Sequence, residues 1–202
     1  MALSVVIVRH GNTFAAGEPA RRIGARTDLP LVDSGIAQAE ALGVAFARDG
    51  WRFDRALAAP LLRTRATMTG ILAHQADAPP VEPADWLTEI DHGPDEAQIE
   101  SAVIDRIGAD ALVRWDAEAH APEGWVVDPE RRIAGWRNLF ETAQGQVLIV
   151  TSNGAARFAL LADAALREQA AALPSLKLRT GAYAVIERGA DGLRLEAWDR
   201  RP

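Results

Sequence analysis

The chain of 202 residues predicts an α/β fold: a three-layer α/β/α sandwich with a mostly parallel central sheet and an inserted helical cap. Two runs, at residues 5–8 and 147–151, consist almost wholly of apolar β-forming residues without alternation, which is typical of strands buried on both faces of a parallel sheet. Segments with helical spacing of apolar residues separate the predicted strands, as expected for a sheet that helices cover. We expect one domain over residues 1–202, with the cap at about residues 93–142.

Composition excludes several classes of protein. With 49% hydrophobic and 25% charged residues, the chain has the balance of a soluble globular protein. Its formal net charge of -6 argues against nucleic-acid binding through bulk charge. It has no cysteine, which excludes disulfides and thiolate chemistry, and no apolar run approaches the ~20 residues that a membrane span needs. The start of the chain has no signal-peptide pattern, and we expect a cytoplasmic protein without a membrane or nucleic-acid partner.

The first half of the chain predicts two helices and a second strand after the opening strand. Apolar residues three and four apart predict a helix over 35–48, with Asp33 or Ser34 as its N-cap. A short apolar run predicts a strand over 53–58. A proline separates this strand from a further helix over 61–73.

A long loop precedes the first helix. Residues 14–31 lack periodicity and carry two glycines and two prolines, and long loops in compact domains are often functional. The loop holds three arginines. We expect Arg21 to be solvated, whereas Arg22 and Arg26 are open to a functional role.

The second half of the chain predicts the cap and a hairpin. Helical spacing predicts helices over 95–119 and 129–143, which together form the expected cap. After the second buried run, an apolar helix is predicted over 155–166, followed by antiparallel strands over 182–186 and 193–198. We expect the cap's tryptophans to pack it down rather than to bind a ligand: Trp115, Trp125 and Trp136.

Three polar positions lie where a sheet of this kind binds ligands. The first strand runs directly into Arg9-His10-Gly11, so it carries a cation and an imidazole to its carboxyl end, although a strand can merely end in these residue types. Arg63 begins a predicted helix near the same edge, with an exposed helix arginine as the alternative. Ser152 lies between the second buried strand and a helix, an arrangement that either binds an anion or is ordinary turn chemistry.

Glu89 is a candidate acid. It lies among the apolar residues Trp86, Leu87 and Ile90. A surface carboxylate is the default expectation. Burial against apolar side chains would raise its pKa and let it hold a proton for catalysis.

Four segments, in the same order along the chain, resemble motifs of the histidine phosphatase (phosphoglycerate mutase-like) superfamily. Arg9-His10-Gly11-Asn12-Thr13 is similar to the family's Arg-His-Gly-x-Thr signature. The ordered set spans residues 5–157 and is more specific than any single motif. The other segments are residues 24–31 with Gly35 and Gln38-Ala39 after them, residues 60–67 around Arg63, and residues 87–93 around Glu89.

The resemblance implies a phosphohistidine mechanism that uses no metal or cofactor. His10 would attack a phosphoryl group clamped by Arg9 and Arg63, and Glu89 would protonate the leaving oxygen and then help to activate water. The two arginines disfavour the imidazolium, which keeps His10 nucleophilic. The resemblance implies this phosphate-binding set: Arg9, Asn12, Arg63, Ser152 and Asn153.

Two positions depart from the family pattern. By register on Arg157, Ser152 takes the place of the family's usual second histidine, and Ala16 takes the place of an asparagine. A neutral hydrogen bond in place of a charged one costs about 1–2 kcal/mol, or about five- to thirtyfold in rate. His92 is one source of the missing cation, although we expect it to be a turn histidine that faces water.

We therefore expect a metal-independent phosphatase that acts on a small phosphomonoester. Three alternatives stay open: a phosphoglycerate mutase-type phosphotransferase, a phosphohistidine-protein phosphatase, and a weakly active or inactive protein that only binds a phosphate ligand. The cap and the arginine loop should determine the substrate, but neither identifies it. The sequence does not predict the oligomeric state.

Overall fold

A six-stranded mixed sheet forms the centre of the computed structural model, which describes residues 2–202. The strands are β1 (Leu3–Arg9), β2 (Arg55–Ala58), β3 (Val81–Pro83), β4 (Gly145–Thr151), β5 (Tyr183–Gly189) and β6 (Gly192–Arg200). In the order β3-β2-β4-β1-β5-β6, the first four strands are parallel, and β5 and β6 are antiparallel to their neighbours. The predicted α/β class, the mostly parallel sheet and the C-terminal hairpin are confirmed.

The helices lie between and after the strands. They are α1 (Asp33–Arg48), α2 (Leu62–Leu72), α3 (Glu100–Ile107), α4 (Ala109–Glu118), α5 (Pro129–Thr142), α6 (Asn153–Ala156), α7 (Phe158–Leu161) and α8 (Ala164–Ala170), with single 3₁₀ turns at Asp85–Leu87 and Gly93–Asp95. The predicted N-cap of α1 is wrong, because Val32 holds that position and no side chain caps the helix. Within residues 2–202, no helix has the length and apolar character needed to cross a membrane.

Two predicted helices are broken. The predicted helix over 95–119 is α3 followed by α4, because Gly108 between them has a φ of 80°, a conformation that ends a helix. The predicted helix over 155–166 is α6, α7 and the start of α8. Asp163 begins α8, since its side chain accepts hydrogen bonds from the backbone N–H groups two and three residues on. The subdivision at about residues 93–142 stays a prediction.

Helices cover both faces of the sheet, which gives the three layers. Successive residues of a strand point to opposite faces. Val6 and Val8 of β1 therefore share one core with α1 and α2, in which Phe46 is buried. Val5 and Ile7 share the other core with α5, α7 and α8. Burial on both faces explains why β1 is apolar without alternation.

The edge strands of the sheet are short or irregular. β3 has three residues and ends in Pro83, which has no backbone N–H. β6 contains Asp199, which has a φ of 58°. The side chain of Asp199 accepts hydrogen bonds from the backbone N–H of Arg179 at 2.7 Å and from its Nε at 2.6 Å. These contacts fix a kink near the end of β6.

Candidate active site

Neighbouring parallel strands bring His10 and Ser152 side by side at the carboxyl edge of the sheet. Arg9 of β1 is in register with Thr151 of β4, and the backbone N–H of His10 donates to the Thr151 carbonyl at 3.0 Å. Adjacent strands lie ~4.8 Å apart, so the residues that follow β1 and β4 are neighbours. On the other side of β4, β2 leads into α2, whose second residue is Arg63.

A cavity of about 730 Å³ opens at this edge. Its lining includes predicted site residues from three separate parts of the chain: Arg9, His10, Asn12, Glu89 and Asn153. Two predicted phosphate ligands, Arg63 and Ser152, are not among the residues that line it.

The His10 ring is held in one tautomer and is neutral. The ring is 3% exposed, and its Nδ1 lies 2.8 Å from the Gly11 carbonyl oxygen. A carbonyl oxygen only accepts, so the hydrogen is on Nδ1 and Nε2 keeps its lone pair. Burial lowers the pKa of His10 well below its usual value of 6.5, and the charges of Arg9 and Arg63 lower it further. The arginines act in the predicted direction, but burial is the larger cause.

Gly11 is required by a close approach of two chain segments. A Cβ at Gly11 would lie 2.3 Å from the carbonyl oxygen of Gly35 in the first turn of α1. The backbone N–H of Gly11 also donates to Thr67 Oγ1 of α2 at 3.1 Å. The backbone beside His10 is therefore fixed from α1 and α2 together.

Arg9 and Asn12 line the cavity with part of their hydrogen-bonding capacity in use. Arg9 Nη1 donates to the Leu178 carbonyl at 2.8 Å, and the buried Nε of Arg9 has no partner. The Asn12 side chain donates to Ser34 Oγ at 3.2 Å and accepts from Thr180 Oγ1. Because an arginine keeps its charge when buried, Arg9 is a cation on the wall next to the imidazole.

Arg63 is fully buried and is not among the residues that line the cavity. Its Nη1 donates to the Thr27 carbonyl at 2.7 Å and its Nη2 to the Gly24 carbonyl at 3.1 Å, whereas its Nε has no partner. The alternative of an exposed helix arginine is wrong, because Arg63 is 0% exposed. Its charge acts on both His10 and Glu89. A direct contact between Arg63 and a phosphoryl group stays a prediction.

Glu89 is buried and ionised. Its Oε1 accepts a hydrogen bond from the Ile90 N–H at 2.9 Å and its Oε2 from the Gly154 N–H at 3.1 Å. Burial acts to raise the pKa of Glu89, but the charge of His92, the two N–H groups and Arg63 outweigh it and lower the pKa from its usual value of 4.5. The default expectation of a surface carboxylate is wrong. Glu89 is buried, as the catalytic alternative requires, but the expected rise of its pKa is wrong because the nearby charges and N–H groups outweigh burial.

Ser152 and Asn153 lie at the start of α6. Asn153 Oδ1 accepts from a backbone N–H at 2.8 Å, whereas Ser152 is fully buried and its Oγ has no hydrogen-bond partner. An unpartnered buried donor costs about 1–3 kcal/mol. Three such donors lie near His10: Arg9 Nε, Arg63 Nε and Ser152 Oγ. Guanidinium and hydroxyl hydrogens are the kind of donor that an oxyanion satisfies.

His92 does not face water, so the expectation for this residue is wrong. It is 5% exposed and lines the cavity together with His10 and Glu89. Its ring packs edge-to-face against Trp125, with centroids 4.6 Å apart, and Glu96 Oε2 lies 3.6 Å from its Nδ1. The turn-like sequence around His92 gave no sign of this burial.

The arginines of the 14–31 loop differ in their surroundings. Arg22 makes a bidentate ion pair with Glu100, with both distances 2.8 Å. Arg26 is exposed and donates to the Asp91 carboxylate at 2.9 Å. Arg21 is exposed, as expected, and lies at the cavity rim.

The cavity also contains residues that the sequence did not identify. Lys177 and Thr180 lie in an irregular segment before β5, far along the chain from His10, so no local pattern marks them. Trp115 of α4 lines the wall, and the Arg157 guanidinium lies 4.1 Å from the centre of one of its rings. All three predicted packing residues are buried in the core, but Trp115 also lines the cavity, so its having no part in ligand binding stays a prediction: Trp115, Trp125 and Trp136.

Among the described residues, the cavity lining carries four Arg or Lys side chains and three carboxylates. Arg9, Arg21, Arg22 and Lys177 are the cations, and Glu89 is the buried carboxylate of this lining. Across residues 2–202, no group of three or more His, Cys, Asp or Glu side chains is placed to hold a metal ion.

Comparison with known proteins identifies the family. The sequence profile of the histidine phosphatase superfamily (branch 1) matches residues 5–201. The 2,3-bisphosphoglycerate-dependent phosphoglycerate mutase 2 of Bacteroides thetaiotaomicron is 29% identical over 112 residues, which are 55% of this chain. The match spans 44% of the length of that mutase.

Solved structures show the same fold. The mycobacterial glucosyl-3-phosphoglycerate phosphatase aligns with a TM-score of 0.76 at 20% identity, over 98% of this chain and 99% of that one. The alpha-ribazole phosphatase from Shigella flexneri aligns with a TM-score of 0.73 at 22% identity, over 98% and 96% of the two chains. The chain belongs to the histidine phosphatase superfamily, as its motifs predict.

Proposed function

We propose that this member of the histidine phosphatase superfamily hydrolyses a small phosphomonoester through a phosphohistidine intermediate on His10. The observation that carries the proposal is the state of the His10 ring. Its Nδ1 is committed to the Gly11 carbonyl, its pKa is lowered by burial and by Arg9, and it lines a cavity with that cation. A neutral imidazole beside a guanidinium suits attack on a phosphoryl group.

In the first step, the lone pair of His10 Nε2 attacks phosphorus and the bond to the ester oxygen breaks. Arg9 and Arg63 stabilise the charge on the equatorial oxygens. The leaving oxygen takes a proton from Glu89. Because the pKa of Glu89 is lowered by His92 and backbone N–H groups despite burial, Glu89 gains this proton only when the phosphoryl dianion is bound beside it.

In the second step, water attacks the phosphorus of phospho-His10 and the P–N bond breaks. Glu89, now ionised, takes the proton from water, and orthophosphate leaves. The backbone N–H groups of Ile90 and Gly154 hold its carboxylate in place for this task. As orthophosphate leaves, Glu89 releases this proton to solvent, and the site returns to its starting state with an ionised Glu89 and a neutral His10.

The paired cations of the cavity favour hydrolysis over mutase activity. A mutase needs a basic pocket for a second phosphate. Arg22 is paired with Glu100, and Lys177 lies 3.6 Å from Asp116. Since a carboxylate already neutralises each of these two cations, Arg22 and Lys177 do not form a basic pocket for a second phosphate dianion.

Trapping of the intermediate tests the proposal. The enzyme is mixed with a radiolabelled aryl phosphate and quenched in alkaline detergent, in which phosphohistidine survives. We expect label that mild acid removes, and no label in His10→Ala. His74→Ala is the matched control, because His74 is exposed beyond the end of α2. Hydrolysis at the wild-type rate by His10→Ala would refute the proposal.

A phosphate-binding protein without turnover is the second candidate, which the neutral Ser152 favours. It predicts binding of orthophosphate with neither label nor release of the aryl alcohol. The same experiment therefore separates the two functions.

A further inference from the structure

A second histidine, His92, lies on the wall of the cavity that contains His10. Arg9 is the cation next to His10, and the hydroxyl of Ser152, which follows the neighbouring strand β4, is neutral. His92 lies on the cavity wall with His10 and Glu89, although its position in a polar turn suggested otherwise. Within the described residues 2–202, His10 and His92 are the only two histidines that line this cavity.

A buried carboxylate backs the His92 ring. Glu96 Oε2 lies 3.6 Å from His92 Nδ1, and both side chains are less than a tenth exposed, at 8% and 7%. Glu96 is itself held by the Gly24 N–H at 2.8 Å and by Thr27 Oγ1 at 2.6 Å. Burial acts to raise the pKa of Glu96, but these hydrogen bonds and the contact with His92 lower it to about 2. The ring therefore has a fixed negative charge at Nδ1.

The surrounding backbone is shaped to hold this pair. A Cβ on Gly24 would lie 2.5 Å from Glu96 Oε2 and 2.7 Å from His92 Nδ1, so only glycine lets the loop lie against both groups. Trp125 packs edge-to-face on the ring. The ring is thereby fixed, and Nε2 is the ring nitrogen left for a ligand.

The electrostatics around Glu89 agree with this placement. After burial, the charge of His92 has the largest effect on the pKa of Glu89, ahead of both backbone N–H groups and Arg63. His92 is therefore close to the carboxylate that would exchange protons in the proposed reaction. With the Glu96 carboxylate at Nδ1 and a phosphoryl dianion at Nε2, each ring nitrogen of His92 would face an anionic hydrogen-bond acceptor.

We infer that His92 is a catalytic residue, whose Nε2–H donates a charged hydrogen bond to the phosphoryl group of the substrate, with Glu96 as its positioning residue. This inference rests on the proposed function, because it assigns a ligand within the same site. A histidine that only filled space would have no need of a buried carboxylate on one nitrogen and a cavity at its other edge.

Binding of orthophosphate tests the inference without turnover. We expect His92→Phe to weaken orthophosphate binding about tenfold or more in calorimetry, because a charged hydrogen bond is lost. His92→Gln, which keeps a neutral donor, should recover part of that loss. His74→Phe is the matched control, since it makes the same change at an exposed histidine outside the cavity. Thermal unfolding of each variant shows whether it is folded.

Kinetics separate the phosphoryl contact from a role on the leaving group. We expect His92→Phe to lower kcat/KM about ten- to a hundredfold for aryl and alkyl phosphates alike. Glu96→Gln should produce a smaller loss of the same kind, and with His92→Gln it supplies the test if His92→Phe does not fold. Aryl leaving groups need little protonation, so a loss confined to alkyl phosphates would overturn the inference.

The outcomes also separate this inference from the proposed function. Unchanged orthophosphate affinity and kcat/KM within twofold of wild type in the folded His92 variants would refute the role of His92 only. Absence of label on wild-type His10 would refute the phosphatase proposal, and orthophosphate affinity would still decide whether His92 contacts the anion.

Discussion

Adding one methyl group at Gly154 should disable Glu89. A Cβ at this position would lie 2.2 Å from Glu89 Oε1 and 3.1 Å from Cγ1 of Ile90. The first distance is far below van der Waals contact, so in Gly154→Ala the carboxylate must move. The hydrogen bond from the Gly154 N–H to Oε2, which is 3.1 Å long, would then be lost.

The magnitude follows from three opposing effects. Alanine is the better helix former by about 1 kcal/mol, which favours the variant because Gly154 is in α6. Crowding in a close-packed interior costs about 1–3 kcal/mol. A hydrogen bond to a charged group contributes about 1.5–3 kcal/mol, and if it holds Glu89 for the transition state its loss lowers kcat about 10- to 100-fold. Because the Gly154 N–H bond is present in the resting enzyme, its loss also lowers stability, and the free energy of unfolding should fall by about 1.5–5 kcal/mol while activity falls by more than a factor of ten.

The assay measures kcat on an aryl phosphate together with the urea midpoint of unfolding. Gly189→Ala is the matched control, because a Cβ at Gly189 would meet nothing within 4 Å. It should keep wild-type kcat. A Gly154→Ala enzyme with wild-type kcat would refute the reasoning, because the position of Glu89 would then be irrelevant to the rate.

Three further predictions concern titration and packing. The folded pKa of Glu96 is about 2 against a usual 4.5, so its contribution to stability is present above pH 4.5 and is lost as the pH falls towards 2. In urea unfolding across that range, the free energy of unfolding should therefore decline less steeply in Glu96→Gln than in wild type. The pKa of His10 lies well below 6.5, owing to burial first and then to Arg9 and Arg63. The rate of phosphohistidine formation, corrected for substrate ionisation, should therefore not fall as the pH is lowered to 6.5. A midpoint of the rate at pH 6.5 would contradict the assignment of a neutral His10. Arg157→Met should lower the free energy of unfolding by about 3 kcal/mol, because the buried guanidinium donates to the Trp115 carbonyl and lies over the Trp115 ring. Arg194→Met, at an exposed ion pair, should cost under about 1 kcal/mol. Equal losses in denaturant unfolding would refute the distinction.

The parts of the fold that depend on local pattern could be predicted. β1 and β4 are buried on both faces, so their apolar runs are visible in the sequence, and the register that follows puts His10 beside Ser152. The break at Gly108 is not predictable from local pattern, because a glycine within apolar spacing does not by itself reveal a positive φ. Asp163 was a readable signal for the start of α8, since aspartate is a favoured N-cap.

The parts of the site that depend on distant contacts could not be predicted. His92 is buried because Trp125 and Glu96 pack around it, and a turn-like local sequence carries no trace of either contact. For the same reason the lowered pKa of Glu89 was out of reach. Apolar neighbours in the sequence suggest burial, but His92, two backbone N–H groups and Arg63 oppose its effect.

The margins of the β-sheet affect how copies of the chain meet. An open strand edge invites pairing with another molecule, which leads to aggregation. At one margin the edge strand is three residues long and ends in Pro83, and at the other the backbone is kinked at Asp199 and carries the charged side chains of Arg194 and Glu196. Both margins therefore resist the addition of a strand from another molecule. This architecture permits self-association through the helices rather than by extension of the sheet.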